Sequence, residues 1–116
     1  MSAVVLQKLQ KEFENRLQKA IAYYSILSAF NSLNLQTREI EVLAFAATRG
    51  TITPASARRE FVRIFDSSLA TLENVKCRLI KKGLLQKHGE MYRVNPSIAP
   101  DFSGGVIMQI NLSSLT

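Results

Sequence analysis

Ser68–Val94 reads SLATLENVKCRLIKKGLLQKHGEMYRV: a capped basic helix, a glycine stop, then two short alternating segments around a tight turn. The Ser68 hydroxyl suits a helix start because it can accept from a backbone N–H left without a partner in the first turn, which Thr71 closes. Gly83 suits the exit. It follows Lys81 and Lys82, whose charges complement the negative end of a helix, and glycine readily takes the left-handed conformation that terminates one.

Placed at helical periodicity, Leu69, Leu72, Val75, Leu79 and Ile80 fall on one side of this segment. Ala70, Asn74, Cys77, Arg78 and Lys81 fall on the other, with Thr71 and Lys82 on a flank. The outward face therefore begins with short side chains, carries an amide in its middle and becomes cationic. Many such faces are simply solvated. This one also fits a nucleic-acid groove, since Asn pairs bidentately with adenine, Arg with guanine, and Lys meets phosphate.

Upstream, Thr53-Pro54 predicts a helix start, a capping hydroxyl followed by proline at the first helical position, with the helix running to about Phe65. Ala57, Phe61, Ile64 and Phe65 form its apolar stripe, with Arg58, Arg59 and Arg63 away from it or at its edge. Only Phe65-Asp66-Ser67-Ser68 separates it from the next helix, so the pair reads as a helix-turn-helix. Downstream, Leu84–Lys87 and Met91–Val94 flank His88-Gly89-Glu90, predicting a hairpin with a bulged tip. Leu85, Tyr92 and Val94 are expected to face the helices and Lys87, Met91 and Arg93 to be exposed; Asn95-Pro96 ends the second strand.

On these residues the stretch Leu35–Val94, about half of the chain, resembles the winged helix-turn-helix domains of bacterial, plasmid and phage DNA-binding proteins. Ser68, Thr71, Leu72, Val75 and Leu79, followed by Lys81-Lys82-Gly83-Leu84-Leu85, carry the likeness. Leu35–Leu43 is also similar to the opening of LuxR-type helix-turn-helix domains, which have no wing, and Tyr92–Pro96 to the last wing strand of some plasmid replication initiators. Lys76 departs from the pattern, standing where these domains usually place an apolar residue. Its stem is expected to lie over the core with the ammonium reaching solvent. The resemblance implies a mainly α fold with a small β-wing, and a recognition helix over Ser68–Lys82.

The net charge of +6 is localised. Between Arg49 and Arg93 stand ten Lys/Arg against four Asp/Glu, so the whole excess lies there. That favours a polyanionic partner with salt-dependent binding. Asn74, Arg78 and Lys81 are the candidates for base contact, with Thr71 near the start of the helix. Arg58, Arg59, Lys87 and Arg93 are the candidates for phosphate.

The N-terminal segment, residues 1–34, is predicted to be one long amphipathic helix. From Ala3 to Leu33 it lacks Gly and Pro, and apolar residues recur every three or four positions. Leu6, Leu9, Phe13, Ala20 and Leu27 mark a stripe for dimerisation or docking; the alternative is a helix that packs on its own domain. At about 1.5 Å per residue such a helix approaches ~45 Å, too long for a small domain to cover. Residues 35–96 form the winged domain. Within it, Thr37 is expected to cap a helix to about Thr48, Thr51–Thr53 to form a short first strand, and Asn31–Gln36 to be a hinge. Residues 97–116 are a turn-rich connector and a half-buried strand, Val106–Leu112, which alternates apolar residues and either packs on its own domain or adds to a neighbour's sheet.

Enzyme chemistry has little to build on. His88 is the single histidine and Cys77 the single cysteine, so neither a metal cluster nor an internal disulfide can form from them, and no cofactor is expected. No apolar run approaches a membrane span or a signal peptide, which predicts a cytoplasmic protein of a bacterial or phage-infected cell. The expectation is a homodimer binding double-stranded DNA as a transcriptional regulator or replication accessory factor. The alternative is a winged-helix interaction module in a phage or multi-protein assembly.

Overall fold

A computed structural model describes residues 9–114. The fold is mainly helical, with four helices and a small two-stranded antiparallel sheet among the described residues.

The first helix, α1, spans Arg16–Phe30. The expected helix from Ala3 to Leu33 is therefore much shorter. Its start is set by Asn15, whose side-chain oxygen accepts from the Gln18 N–H at 2.9 Å, because a short amide that satisfies an end-of-helix donor begins a helix there. Residues 9–13 form neither helix nor strand, and residues 1–8 lie outside the described residues. α1 packs along α2 (Thr37–Arg49), which it reaches through Asn31–Gln36. That connection is tied down: Leu33 N–H donates to Ser28 O at 3.1 Å and Leu35 N–H to Ser28 Oγ at 3.0 Å. The N-cap of α2 is Gln36, one residue before the expected Thr37. Glu39 decides this, accepting from the Gln36 N–H at 3.0 Å, as in a capping box.

α3 spans Ala55–Phe65 and starts from Pro54 rather than from Thr53. Thr53 serves the hairpin instead. Its Oγ1 accepts from the Tyr92 N–H at 2.7 Å, while Thr51 Oγ1 donates to Tyr92 O at 3.0 Å. The expected strand Thr51–Thr53 is thus no strand; its hydroxyls satisfy one residue of the hairpin edge in place of a backbone ladder.

Asp66 ends α3 in the left-handed region at φ 48°, and the chain enters α4 (Leu69–Lys81) after Ser67 and Ser68. Ser68 is the N-cap, accepting from the Thr71 N–H at 3.1 Å. At the far end Gly83 N–H donates to Ile80 O and Leu84 N–H to Leu79 O, both at 3.0 Å. With Gly83 at φ 75°, this is a Schellman motif, and glycine takes that φ without the penalty of a Cβ.

β1 (Leu85–His88) and β2 (Met91–Val94) pair with Lys87 opposite Tyr92 and His88 opposite Met91. The expected bulged tip over His88-Gly89-Glu90 is instead a tight turn with Gly89 and Glu90 at its centre. Gly89, at φ 63°, suits the first central position of a type II′ turn, which requires that sign. The shorter turn changes the faces. Opposed residues share a face, so Leu85, Lys87, Tyr92 and Val94 lie on one side of the hairpin and Gln86, His88, Met91 and Arg93 on the other. Lys87 is exposed as expected, yet it shares the face of Tyr92.

One core unites all these elements. Tyr24 of α1, Leu43 and Phe45 of α2, Ile52, Phe61 of α3, Leu72 and Leu79 of α4, and Leu85 are buried together. Phe102 of the connector joins them, stacking edge-on to Tyr23 with ring centroids 5.4 Å apart. Tyr24 donates its hydroxyl to Ile98 O at 2.7 Å, and burial, with a contribution from Tyr23, pushes its phenol pKa upward. Lys19 Nζ donates to Phe102 O at 3.1 Å and to Gly104 O at 2.7 Å. Between Gly105 and the end of the described residues the chain forms no strand, contrary to the expectation for Val106–Leu112. Alternation alone does not make a strand; a ladder partner is needed.

Candidate functional site

The outer face of α4 carries Asn74, Arg78 and Lys81, all exposed and spaced four and three residues apart, which stacks them along one side of a helix. Leu72, Val75 and Leu79 hold the opposite side in the core, each such buried side chain contributing about 2 kcal/mol. Thr71 is half-buried at the start of the helix, where its Oγ1 accepts from the Ser68 hydroxyl at 3.0 Å.

Around this face Glu73 and Glu60 are paired with cations of the same chain, while Asp66 and Glu90 enter none of the ion pairs among the described residues. Glu73 is paired with Arg58 of α3 at 3.6 Å and with Lys76 at 3.3 Å. Glu60 is paired with Arg49, and Glu41 with Arg38 at 3.1 Å. Arg58 is thus tied between α3 and α4, unlike Arg59, which is exposed. Among the described residues Arg59, Arg63, Arg78, Lys81, Lys87 and Arg93 enter none of these ion pairs. Lys87 and Arg93 leave opposite faces of the hairpin, so they do not form one contact surface with each other.

Lys76, the irregular residue of α4, is covered as expected, but its ammonium is held against Tyr92 and Glu73 rather than reaching freely into solvent. Its ammonium stands 5.2 Å from the centroid of the Tyr92 ring, a cation–π distance, and its side chain is largely covered. The residue joins α4 to β2 while its charge is answered by Glu73.

Two positioning contacts are not visible as motifs. Arg38 at the start of α2 reaches the end of α3, its Nη1 donating to Phe65 O at 2.7 Å and its Nη2 to Asp66 O at 3.4 Å. A cation is favourable at a helix C-terminus, and here it fixes the turn between α3 and α4. The only trace in sequence is the Arg38/Glu41 spacing of a helical ion pair. The second contact involves Glu39, just 1 % exposed. Its Oε2 accepts from Lys82 Nζ at 2.8 Å, joining the start of α2 to the end of α4. Burial acts to raise the Glu39 carboxyl, but hydrogen bonds from Lys82 and Gln36, with the charges of Lys82 and Arg78, outweigh it and hold the carboxyl below its usual range.

The sign of the resulting pH dependence follows. A carboxyl whose folded pKa is depressed contributes stability above its unfolded pKa and loses it as pH falls through the folded value. Glu39→Gln is therefore expected to cost about 1–2 kcal/mol near neutrality, discounted because Lys82 is partly solvated. Urea unfolding should show that difference shrinking towards zero below the ordinary carboxylate range. A gap that persists undiminished in acid would mean packing, rather than charge, is what the substitution removes.

Of the residues expected to form an intermolecular stripe, Ala20 is fully buried and Leu27 packs against the core of its own chain. Phe13 is half-buried, Leu9 is exposed, and Leu6 lies outside the described residues. Among the described residues no group of three His, Cys, Asp or Glu side chains could hold a metal ion, and no helix is long and apolar enough to cross a membrane. Cys77 is free and exposed. Comparison with protein-family profiles, with characterised proteins and with solved structures yields no match.

Proposed function

We propose that this chain is a winged helix-turn-helix protein that binds double-stranded DNA, with α4 entering the major groove and the β1–β2 hairpin acting as the wing. The observation that carries this reading is the distribution of charge after folding. Glu60 and Glu73 are answered by Arg49, Arg58 and Lys76, so the cations left over are those on the outward side of α4, on α3 and on the hairpin. Of the acids between residues 49 and 93 only Asp66 and Glu90 enter none of these ion pairs among the described residues, so the outward surface keeps an excess of positive charge.

In this reading Asn74, Arg78 and Lys81 face base edges, Thr71 sits where the helix enters the groove, and Arg59 and Lys87 meet phosphate. Arg93, on the far side of the hairpin, reaches phosphate only beyond the wing. Arg58 contributes by bracing α3 on α4. The order of elements, helix, helix-turn-helix and hairpin, supports the same reading, and so does the short turn at Asp66-Ser67-Ser68, clamped by Arg38. The biological role that fits is a transcriptional regulator or a replication accessory factor.

The test is a salt titration of labelled duplex. Each phosphate contact releases counterions, so roughly three to five contacts give a slope of about −3 to −5 in log K against log salt. No measurable association with duplex at low salt would overturn the proposal.

A further inference from the structure

We propose that Val106–Leu112 pairs antiparallel with the same segment of a second copy of the chain, so that the two tails form a ribbon lying against the exposed edges of both α1 helices. This goes beyond DNA binding and does not depend on it.

The observations converge on one patch. Leu112 is 81 % exposed and Phe30 54 %, with Ile26 and Ile110 also exposed. Ile26, Leu27 and Phe30 of α1 line a groove of about 240 Å³ together with Met108, Ile110 and Leu112 of the tail. Contiguous exposed apolar side chains of this kind mark interaction sites, and a standard dimer takes about 800 Å² from each partner, which a paired ribbon would supply from both its side chains and its backbone.

Why the occupant is a second copy follows from charge and pattern. The domain's excess of +6 lies between residues 49 and 93, so two copies repel when those faces approach. From Phe102 to Thr116 there is no charged side chain. The tail is thus the surface where a like-charged chain can come close. Its alternation is also self-complementary. Paired about Gln109, Val106 lies opposite Leu112 and Met108 opposite Ile110, so the apolar face of one strand continues into that of the other. Such pairing supplies the ladder partner that Val106–Leu112 lacks among the described residues of its own chain.

Sedimentation equilibrium of the full chain is expected to give twice the 13.0 kDa monomer mass. Ile110→Asp with Leu112→Asp, which places carboxylates in the dry face of the ribbon, should weaken the dimer by more than about a hundredfold. The thermal melt and helical circular dichroism of the variant, taken below the wild-type dimer's dissociation range, verify that each copy stays folded. In a Cys77→Ser background, Gln109→Cys should oxidise to a covalent dimer, because directly opposed residues of an antiparallel pair lie within disulfide reach. A wild-type mass of 13.0 kDa at every concentration overturns the proposal. So does a doubled mass that survives the two aspartate substitutions, or a Gln109→Cys chain that fails to cross-link while remaining dimeric.

Discussion

Replacing Phe61 by alanine is expected to lower the unfolding free energy by about 3–5 kcal/mol, the largest effect of any single truncation in the helical core. Phe61 is fully buried on α3, a helix that contributes only one other buried side chain, Ala57. Its ring meets Phe45 of α2 edge-on at 5.6 Å and Phe65 at 4.8 Å. Three rings therefore join two helices, and aromatic pairs of this kind contribute about 0.5–1.5 kcal/mol beyond the area they bury. Removal leaves a cavity that Ala57 cannot fill. Since domains of this size are stable by only about 5–15 kcal/mol, denaturant unfolding should show a midpoint shifted by a large fraction of its value. Phe61→Leu should recover most of the loss. A shift below ~1 kcal/mol would mean that α3 is not held through this ring.

Arg78→Ala carries the second large effect, on recognition rather than on folding. Arg78 is exposed in the middle of the outward face of α4, between Asn74 and Lys81, and it forms none of the ion pairs that neutralise Arg49, Arg58 and Lys76. A bidentate contact from such a side chain to a base is worth about 1–3 kcal/mol of discrimination. On a site selected from random duplex, the substitution should therefore weaken binding by about 10- to 100-fold, with a much smaller loss on unrelated sequence. Lys87→Ala should behave differently, weakening every duplex to a similar extent and reducing the salt slope by about one. Equal losses on selected and unrelated duplex for Arg78→Ala would reassign it to phosphate. Stability should barely change, because Leu72, Val75 and Leu79 hold the helix from its other side.

The elements that sequence revealed were those whose boundaries are set by local chemistry. Ser68 and Gly83 bracket α4 through hydrogen bonds to residues within one turn, and the buried stripe between them follows from periodicity alone. Where a boundary depends on competition, periodicity misleads. The apolar repeat runs through Leu9 and Phe13 without a break, yet Asn15 begins the helix because its side chain satisfies the Gln18 donor. The hairpin illustrates a different limit. Removing one residue from the turn leaves both strands in place but moves Lys87 to the face of Tyr92 and sets Arg93 opposite to it. Turn length, which propensities specify weakly, decides which cations act together.

The candidate site is partly legible for the same reason. Asn74, Arg78 and Lys81 lie on one helix, so spacing alone puts them together. Arg58 reads in sequence as a free cation because its partner Glu73 lies on the following helix. Glu39 and Lys82 are far apart in the chain, and neither carries a motif; only the packing of α2 against α4 joins them. The Val106–Leu112 alternation is real as a pattern of burial tendencies, but among the described residues no partner strand stands beside it within one copy.

The two threonine hydroxyls that hold Tyr92 have a mechanical consequence. They grip the hairpin at a single residue one pair short of its turn, while Leu85 and Val94 are seated in the core at its base. The hairpin is thus held at both ends, and only the His88–Met91 pair and the Gly89-Glu90 turn overhang the second grip, an arm of about 5 Å given ~3.3 Å per strand residue. A tilt of about 10° about Tyr92 displaces the tip by only about 1 Å, by that same geometry. The hairpin is therefore a short strut rather than a swinging arm, and Thr51 and Thr53 set where its tip stands.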